Sequence, residues 1–194
     1  VLGNHDYRGN PDAEIEYTKV SRRWNMPARY YVIHKEIENC PMGLDLIFID
    51  TPPFQHKYYS DISYKDGVKG QDTTLQRNWL DSVLTASRSR WKIVIGHHPV
   101  FSSGKHAKDL SEMAKQFGDL FEKKGVDAYF SGHDHHFEHL KKANVNYFIV
   151  GTGSELRKVD DKKNPNTLFS KSASGITIVS LSQNNLTVKF IDTM

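Results

Sequence analysis

Three times along this chain an apolar run ends at a glycine and gives way at once to a turn that carries histidine. Val1-Leu2 leads into Gly3-Asn4-His5-Asp6, Ile93-Val94-Ile95 into Gly96-His97-His98-Pro99, and Ala128-Tyr129-Phe130-Ser131 into Gly132-His133-Asp134-His135. Strands of a parallel sheet end side by side, so turns beyond their carboxyl ends meet in one crevice. Glycine lets the backbone turn sharply and approach a ligand closely. Imidazole nitrogen and amide oxygen suit Fe, Zn or Mn. The design therefore predicts Asn4, His97, His133 and His135 around a metal centre.

Taken singly, Gly3-Asn4-His5-Asp6 reads as an ordinary turn and Gly96-His97-His98-Pro99 as a strand end with exposed histidines. A His-x-His after a strand says more, because it puts two imidazoles near one point. It is the three together, each after an apolar strand, that point to a site. Cys40 is the sole cysteine, so thiolate clusters and an internal disulfide are excluded.

The rest of the chain sets these turns in an α/β frame. Residues 11–24 read as a short helix opened by proline. Residues 30–33 and 44–50 are strand-like, and an aromatic loop follows. Within residues 72–87, Leu75, Trp79, Leu80, Val83 and Leu84 fall at helical spacing and predict one buried face. Residues 91–95 read as a buried strand, and 108–124 as a second amphipathic helix ended by Gly125. A strand is expected over 126–130, and from Phe137 the chain turns mostly β, with strands over 145–150, 176–181 and 186–191. Residues 154–174 are polar and predict a long surface loop. Strands alternating with helices argue for a sheet covered by helices. With 194 residues, one domain over 1–194 is expected.

A net charge of +3 is scattered rather than clustered, which weighs against nucleic acid as a partner. No apolar run approaches membrane-spanning length, so no membrane partner is expected either.

The run of motifs resembles the calcineurin-like metallophosphoesterases and, within them, the small plant-like purple acid phosphatases of the tartrate-resistant type. Gly3-Asn4-His5-Asp6 looks like the family's third signature, Val94-Ile95-Gly96-His97 its fourth and Gly132-His133-Asp134-His135 its fifth. Gly96-His97-His98-Pro99-Val100-Phe101-Ser102 followed by His106 is similar to these phosphatases more specifically. The resemblance implies an α/β fold of α+β sandwich type, flanked by helices. It also implies an acid phosphatase that hydrolyses phosphate monoesters with a binuclear Fe(III)–M(II) centre and metal-bound hydroxide as nucleophile. Asn4, His97 and His133 would bind the divalent ion (Zn, Mn or Fe) and His135 the Fe(III). His5 and His106 would be the catalytic histidines facing the phosphate and leaving group, protonated in mild acid. Alternatives within the same reading are a phosphodiesterase or nucleotidase, or an inactive metal-binding fragment.

In the family two earlier signatures supply an aspartate on Fe(III), a bridging aspartate and a tyrosine. This chain opens at the third, so the expectation is an N-terminal truncation that leaves part of the site, with Val1-Leu2 the tail of a cut strand. Asp6 and Asp134 are candidates to orient neighbouring imidazoles. His98 and His136 are expected to be structural or to support the ligands, and His34, His56 and His139 to lie at the surface or in packing. Phe54, Tyr58 and Tyr59 either border the cleft or pack. Residues 156–171 occupy the place of a loop that restrains activity in mammalian relatives, and a solvated loop is the simpler reading. The acceptor triplet at Asn185, with the resemblance, implies a secreted protein, extracellular or vacuolar/lysosomal.

Overall fold

The computed structural model describes residues 1–159 and 164–193. Seven strands form one sheet: β1 (Tyr31–Ile37), β2 (Cys40–Phe48), β3 (Trp91–Ile95), β4 (Ala128–Ser131), β5 (Phe137–Lys142), β6 (Val145–Val150) and β7 (Thr167–Lys171), in spatial order β1-β2-β3-β4-β6-β5-β7. The central four, β2, β3, β4 and β6, run parallel, with Ile93 opposite Leu46 and Ala128, and Phe130 opposite Ile95 and Phe148. Strands covered on both faces read as continuous apolar runs, as Trp91–Ile95 and Ala128–Ser131 do. Their parallel direction brings the turns after β3 and β4 to one edge.

Helices cover one face. Of α1 (Asp12–Glu16), α2 (Lys57–Ser60), α3 (Lys65–Val68), α4 (Thr73–Ala86), α5 (Ser111–Met113) and α6 (Asp119–Lys123), the last three supply the core against the sheet, and the first three pack in a separate cluster around Leu2 and Tyr7. Helix α4 starts where Asp72 accepts a hydrogen bond from the Leu75 N–H, an N-cap typically worth about 1 kcal/mol. Its Leu80 and Leu84 join Ile47, Val94, Phe117, Phe121 and Tyr129 in the main core. Trp79 and Val83 are half-buried against that core, whereas Leu75, expected on the same face, is exposed.

The other face is covered by a hairpin of β8 (Gly175–Leu181) and β9 (Leu186–Asp192). Leu181, Leu186, Val188 and Phe190 pack on Trp91, Ile93, Phe130 and Phe148. The result is the expected mixed α/β fold, a large sheet between helices and a small second sheet.

Several local expectations are corrected. Val1 and Leu2 pair with no strand among the described residues; Leu2 is buried instead with Tyr7, Met26, Tyr58, Tyr64 and Val68. The helix expected over 11–24 ends as a 3-10 turn at Lys19, and Trp24 folds back to donate to the Glu14 carbonyl. The helix expected from 108 begins at Ser111 and passes through a π-turn, Ala114–Gly118, before Gly125 ends it at φ 66°. Part of the expected loop over 154–174 is β7, an edge strand whose Leu168 and Phe169 are exposed, so no burial pattern marks it in the sequence. Of the loop over 156–171, residues 160–163 lie outside the described residues. Among the described residues no helix is long and apolar enough to cross a membrane.

Candidate metal centre

Three side chains from three turns converge at the sheet edge. His97 Nε2 lies 2.9 Å from Asn4 Oδ1 and 3.1 Å from His133 Nδ1, and His133 Nδ1 lies 3.2 Å from Asn4 Oδ1. The turns are stitched together by the backbone, with Gly96 N–H donating to the Phe130 carbonyl and Gly132 N–H to the His97 carbonyl. Glycine is needed here for close approach rather than for an unusual backbone angle. A Cβ on Gly3 would meet the His97 ring at 2.8 Å, and one on Gly96 would meet the Tyr129 hydroxyl at 2.4 Å. The left-handed backbone at the site belongs to His133, at φ 62°, a conformation uncommon outside glycine and found at functional positions.

Each of the three is held differently. Asn4 is buried, and its Nδ2 donates to the Tyr64 hydroxyl at 3.4 Å, which turns Oδ1 toward the histidines. His97 is wedged against Gly3. His133 is held between two tilted rings: its own lies 4.3 Å from that of His98 and 4.5 Å from that of His106, and its Nε2 is buried without a partner among the described residues.

His98 belongs to the same cluster, with donor atoms within 4.8 Å of those of His97 and His133. Both of its nitrogens are already engaged, Nδ1 with Thr51 Oγ1 and Nε2 with the Tyr58 hydroxyl, each at 2.9 Å. It therefore supports the cluster from behind. Likewise His136 is fully buried and bound through Nε2 to Glu138 at 2.9 Å.

A cleft of about 420 Å³ opens in front of the triad, and His5, His106 and His135 all line it. The His135 Nδ1 meets the Glu155 carbonyl at 2.5 Å, which leaves Nε2 as its other nitrogen. His106 Nε2 accepts from Arg157 Nη1 at 2.9 Å. Because guanidinium is always a donor, His106 carries its proton on Nδ1, 3.7 Å from Asp109 Oδ2. Burial, reinforced by Arg157 and Lys57 and opposed by Asp134, pushes the His106 pKa down.

Asp6 and Asp134 do not orient imidazoles through their carboxylates. Asp6 accepts from the Gly3 N–H at 2.7 Å, and Asp134 accepts from the Ser102 hydroxyl at 2.5 Å and the His106 backbone at 3.3 Å. They shape the turns instead. Phe54 and Tyr58 are core residues, with Tyr58 also reaching the cleft wall.

The sequence reading missed Arg8, Lys57, Tyr64 and Arg157 on that wall. Arg8 sits two residues past the first signature turn, and that proximity was the one available signal. Arg157 arrives from a polar stretch whose Arg157 N–H donates to the His135 carbonyl at 3.0 Å.

The donor set fits a metal ion. Three lone-pair atoms facing one another at 2.9–3.2 Å are poorly arranged unless a proton or cation lies among them. Burial, with neighbouring positive charge, pushes His97 down to about 3 and His133 down to about 2, so both are held as the neutral, ligating imidazole. One amide oxygen and two imidazoles suit Zn, Mn or Fe. The ring nitrogen of His135 bound to a backbone carbonyl is also the usual support of a metal-ligating histidine. Among the described lining residues Asp61 is the one carboxylate.

Comparison with known proteins gives a consistent picture. The family described as Calcineurin-like phosphoesterase matches residues 1–137. Human tartrate-resistant acid phosphatase type 5 is 32% identical over 99% of this chain and 62% of its own length. Arabidopsis thaliana purple acid phosphatase 3 is 34% identical over 99% of this chain and 54% of its own. Among solved structures, "GAP50 the anchor in the inner membrane complex of Plasmodium" superposes with a TM-score of 0.82 at 28% identity, covering 99% of this chain and 60% of that one. The chain thus spans somewhat more than half the length of these relatives.

Proposed function

The chain belongs to the calcineurin-like phosphoesterase family, and from that premise we propose that it hydrolyses phosphate monoesters as an acid phosphatase. The observation that carries this is the convergence of Asn4 Oδ1, His97 Nε2 and His133 Nδ1 within 2.9–3.2 Å. In this reading those three hold a divalent ion, Zn, Mn or Fe, and His135 contributes to a neighbouring Fe(III). When bound, the ions supply Lewis-acid charge for the phosphoryl oxygens and make water acidic enough to serve as a nucleophile at moderate pH.

The side chains do the rest. Tyr64 holds the Asn4 amide with its oxygen inward. His98, tied to Thr51 and Tyr58, gives His133 a fixed ring to pack against. Arg157 reaches into the cleft beside His106 and supplies a permanent positive charge where a phosphoryl oxygen gains negative charge. With its Nε2 accepting from Arg157, His106 keeps its proton on Nδ1 and positions the guanidinium. His5, exposed on the same wall, is the imidazole placed to give a proton to the leaving alkoxide.

Secretion, to the cell exterior or a vacuolar/lysosomal compartment, is part of the same reading. It is supported by the acid phosphatase relatives and by Asn185, exposed in the turn between β8 and β9. The test of reaction class is turnover of p-nitrophenyl phosphate against its bis ester by the metal-loaded protein. Preference for the monoester is expected, and preference for the diester overturns the proposal in favour of a phosphodiesterase. The likeness to the Plasmodium protein described as an anchor supports a second reading, an anchoring domain. Metal content separates the two, since a domain that holds no metal is not the phosphatase.

A further inference from the structure

The mouth of the cleft carries charge that the hydrolysis of a simple ester does not use. Among the described lining residues three are permanently cationic or lysine, Arg8, Lys57 and Arg157, against one carboxylate, Asp61. They differ in depth. Arg157 is half-buried and bound to His106, whereas Arg8 and Lys57 are exposed. The two outer cations sit on a matched platform. Tyr58 and Tyr64 are buried and pack ring to ring at 4.6 Å. The Arg8 guanidinium lies 5.1 Å from the centre of the Tyr64 ring, and Lys57 Nζ lies 5.4 Å from that of Tyr58. The platform is anchored to the triad from beneath, Tyr64 through Asn4 and Tyr58 through His98.

Arg8 is the stronger member of the pair. Its Nε donates to the Tyr64 hydroxyl at 2.8 Å, and among the described residues its terminal nitrogens make no hydrogen bond. A guanidinium held by its Nε presents those two nitrogens as a fork matched to a carboxylate or phosphate. Lys57 shares its charge with Asp109 at 3.1 Å and contributes less. Asp61 accepts from the Ser63 N–H at 2.9 Å, and among the described residues it forms no ion pair with Arg8.

Resting on the phosphomonoesterase reading, we propose that Arg8, assisted by Lys57, is a subsite for a second anionic group on the leaving portion of the substrate. The favoured substrates are then small phosphate monoesters that carry a further carboxylate or phosphate, rather than esters of neutral alcohols. Arg157, deeper and beside His106, serves the phosphoryl group that is transferred. Because the outer cations are exposed, the preference weakens as salt rises.

The test uses a matched pair, phenyl phosphate and 4-carboxyphenyl phosphate, on the metal-loaded protein and on Arg8→Gln and Lys57→Gln. The quantity read is the ratio of kcat/KM for the carboxylated ester to that for phenyl phosphate, in which differences in leaving group cancel between proteins. The ratio is expected to fall about tenfold in Arg8→Gln, the scale of a lost charged hydrogen bond, and less in Lys57→Gln. An unchanged ratio overturns the proposal, and so does an equal loss on both esters, which would assign Arg8 to the transferred phosphoryl group. Calorimetric binding of the same two probes keeps the inference separate from the reaction itself. If neither ester turns over, the phosphatase reading fails, and the subsite still stands or falls on tighter binding of the carboxylated probe that Arg8→Gln abolishes.

Discussion

Arg157 donates to His106 Nε2 across 2.9 Å, although 51 positions separate the two in the chain. His106 Nε2 is therefore an acceptor, and the fixed positive charge at that point belongs to arginine. Arg157→Ala should lower kcat by about 10²-fold, the usual effect of removing one charge-stabilising donor, while metal content stays at the wild-type level. Steady-state rates on p-nitrophenyl phosphate with elemental analysis check this. Wild-type turnover in the variant would remove Arg157 from the mechanism.

Tyr64 is the one side chain that fixes which end of the Asn4 amide faces the histidines among the described contacts. Tyr64→Phe should weaken divalent-metal affinity about 10–100-fold, as loss of a ligand's supporting partner does. The fold should lose about 1–3 kcal/mol, because the hydroxyl accepts from both Asn4 Nδ2 and Arg8 Nε. Chelator competition alongside urea unfolding separates the two effects. Equal metal affinity in the variant would show that the amide is held by something else.

Gly3 and Gly132 both precede site residues, yet only one is crowded. A Cβ at Gly3 meets His97 at 2.8 Å, whereas at Gly132 the nearest such contact is 3.8 Å. Gly3→Ala should push the His97 ring, costing about 1–3 kcal/mol of stability and lowering metal affinity. Gly132→Ala should be the milder change on both counts. Thermal unfolding and metal titration of the two variants give the comparison, and a reversed ranking would contradict the packing described for His97.

Asp50 sits beneath the first turn, where it accepts from the Tyr7 hydroxyl and faces Arg29 at 3.8 Å. Burial raises its carboxyl to about 7 despite those partners, with Asp6 adding to the rise. The folded chain therefore binds a proton that the unfolded chain releases near pH 4. Asp50's contribution to stability is fully present below about pH 4 and is lost as pH rises through about 7. Asp50→Asn should flatten that part of the profile, so urea midpoints at pH 4.5 and 7.5 should differ less in the variant than in wild type. Parallel profiles would count against the buried, proton-binding carboxyl.

How far the sequence alone reached follows from the range of each interaction. The strands before the second and third turns and helix α4 were legible because local periodicity and a neighbouring cap determine them. The meeting of Asn4, His97 and His133 was legible because each lies at a fixed offset from a glycine that closes an apolar run. Arg157, Tyr64 and Lys57 were not, because nothing in a polar loop or an aromatic stretch marks the point at which it folds back on a distant turn. Strand β7 escaped for a related reason: an edge strand with Leu168 and Phe169 exposed carries no burial pattern to read. His106 lines the cleft, but its tautomer depends on a partner 51 residues away and so could not be read from its local sequence.

The central claim is that three donors gathered from separate turns hold a divalent ion, and metal content after dialysis measures it most directly. Wild-type protein should retain at least one Zn or Mn ion per chain, and His133→Ala should lose it with an unchanged circular dichroism spectrum. A His133→Ala protein that keeps the wild-type metal content would contradict the account.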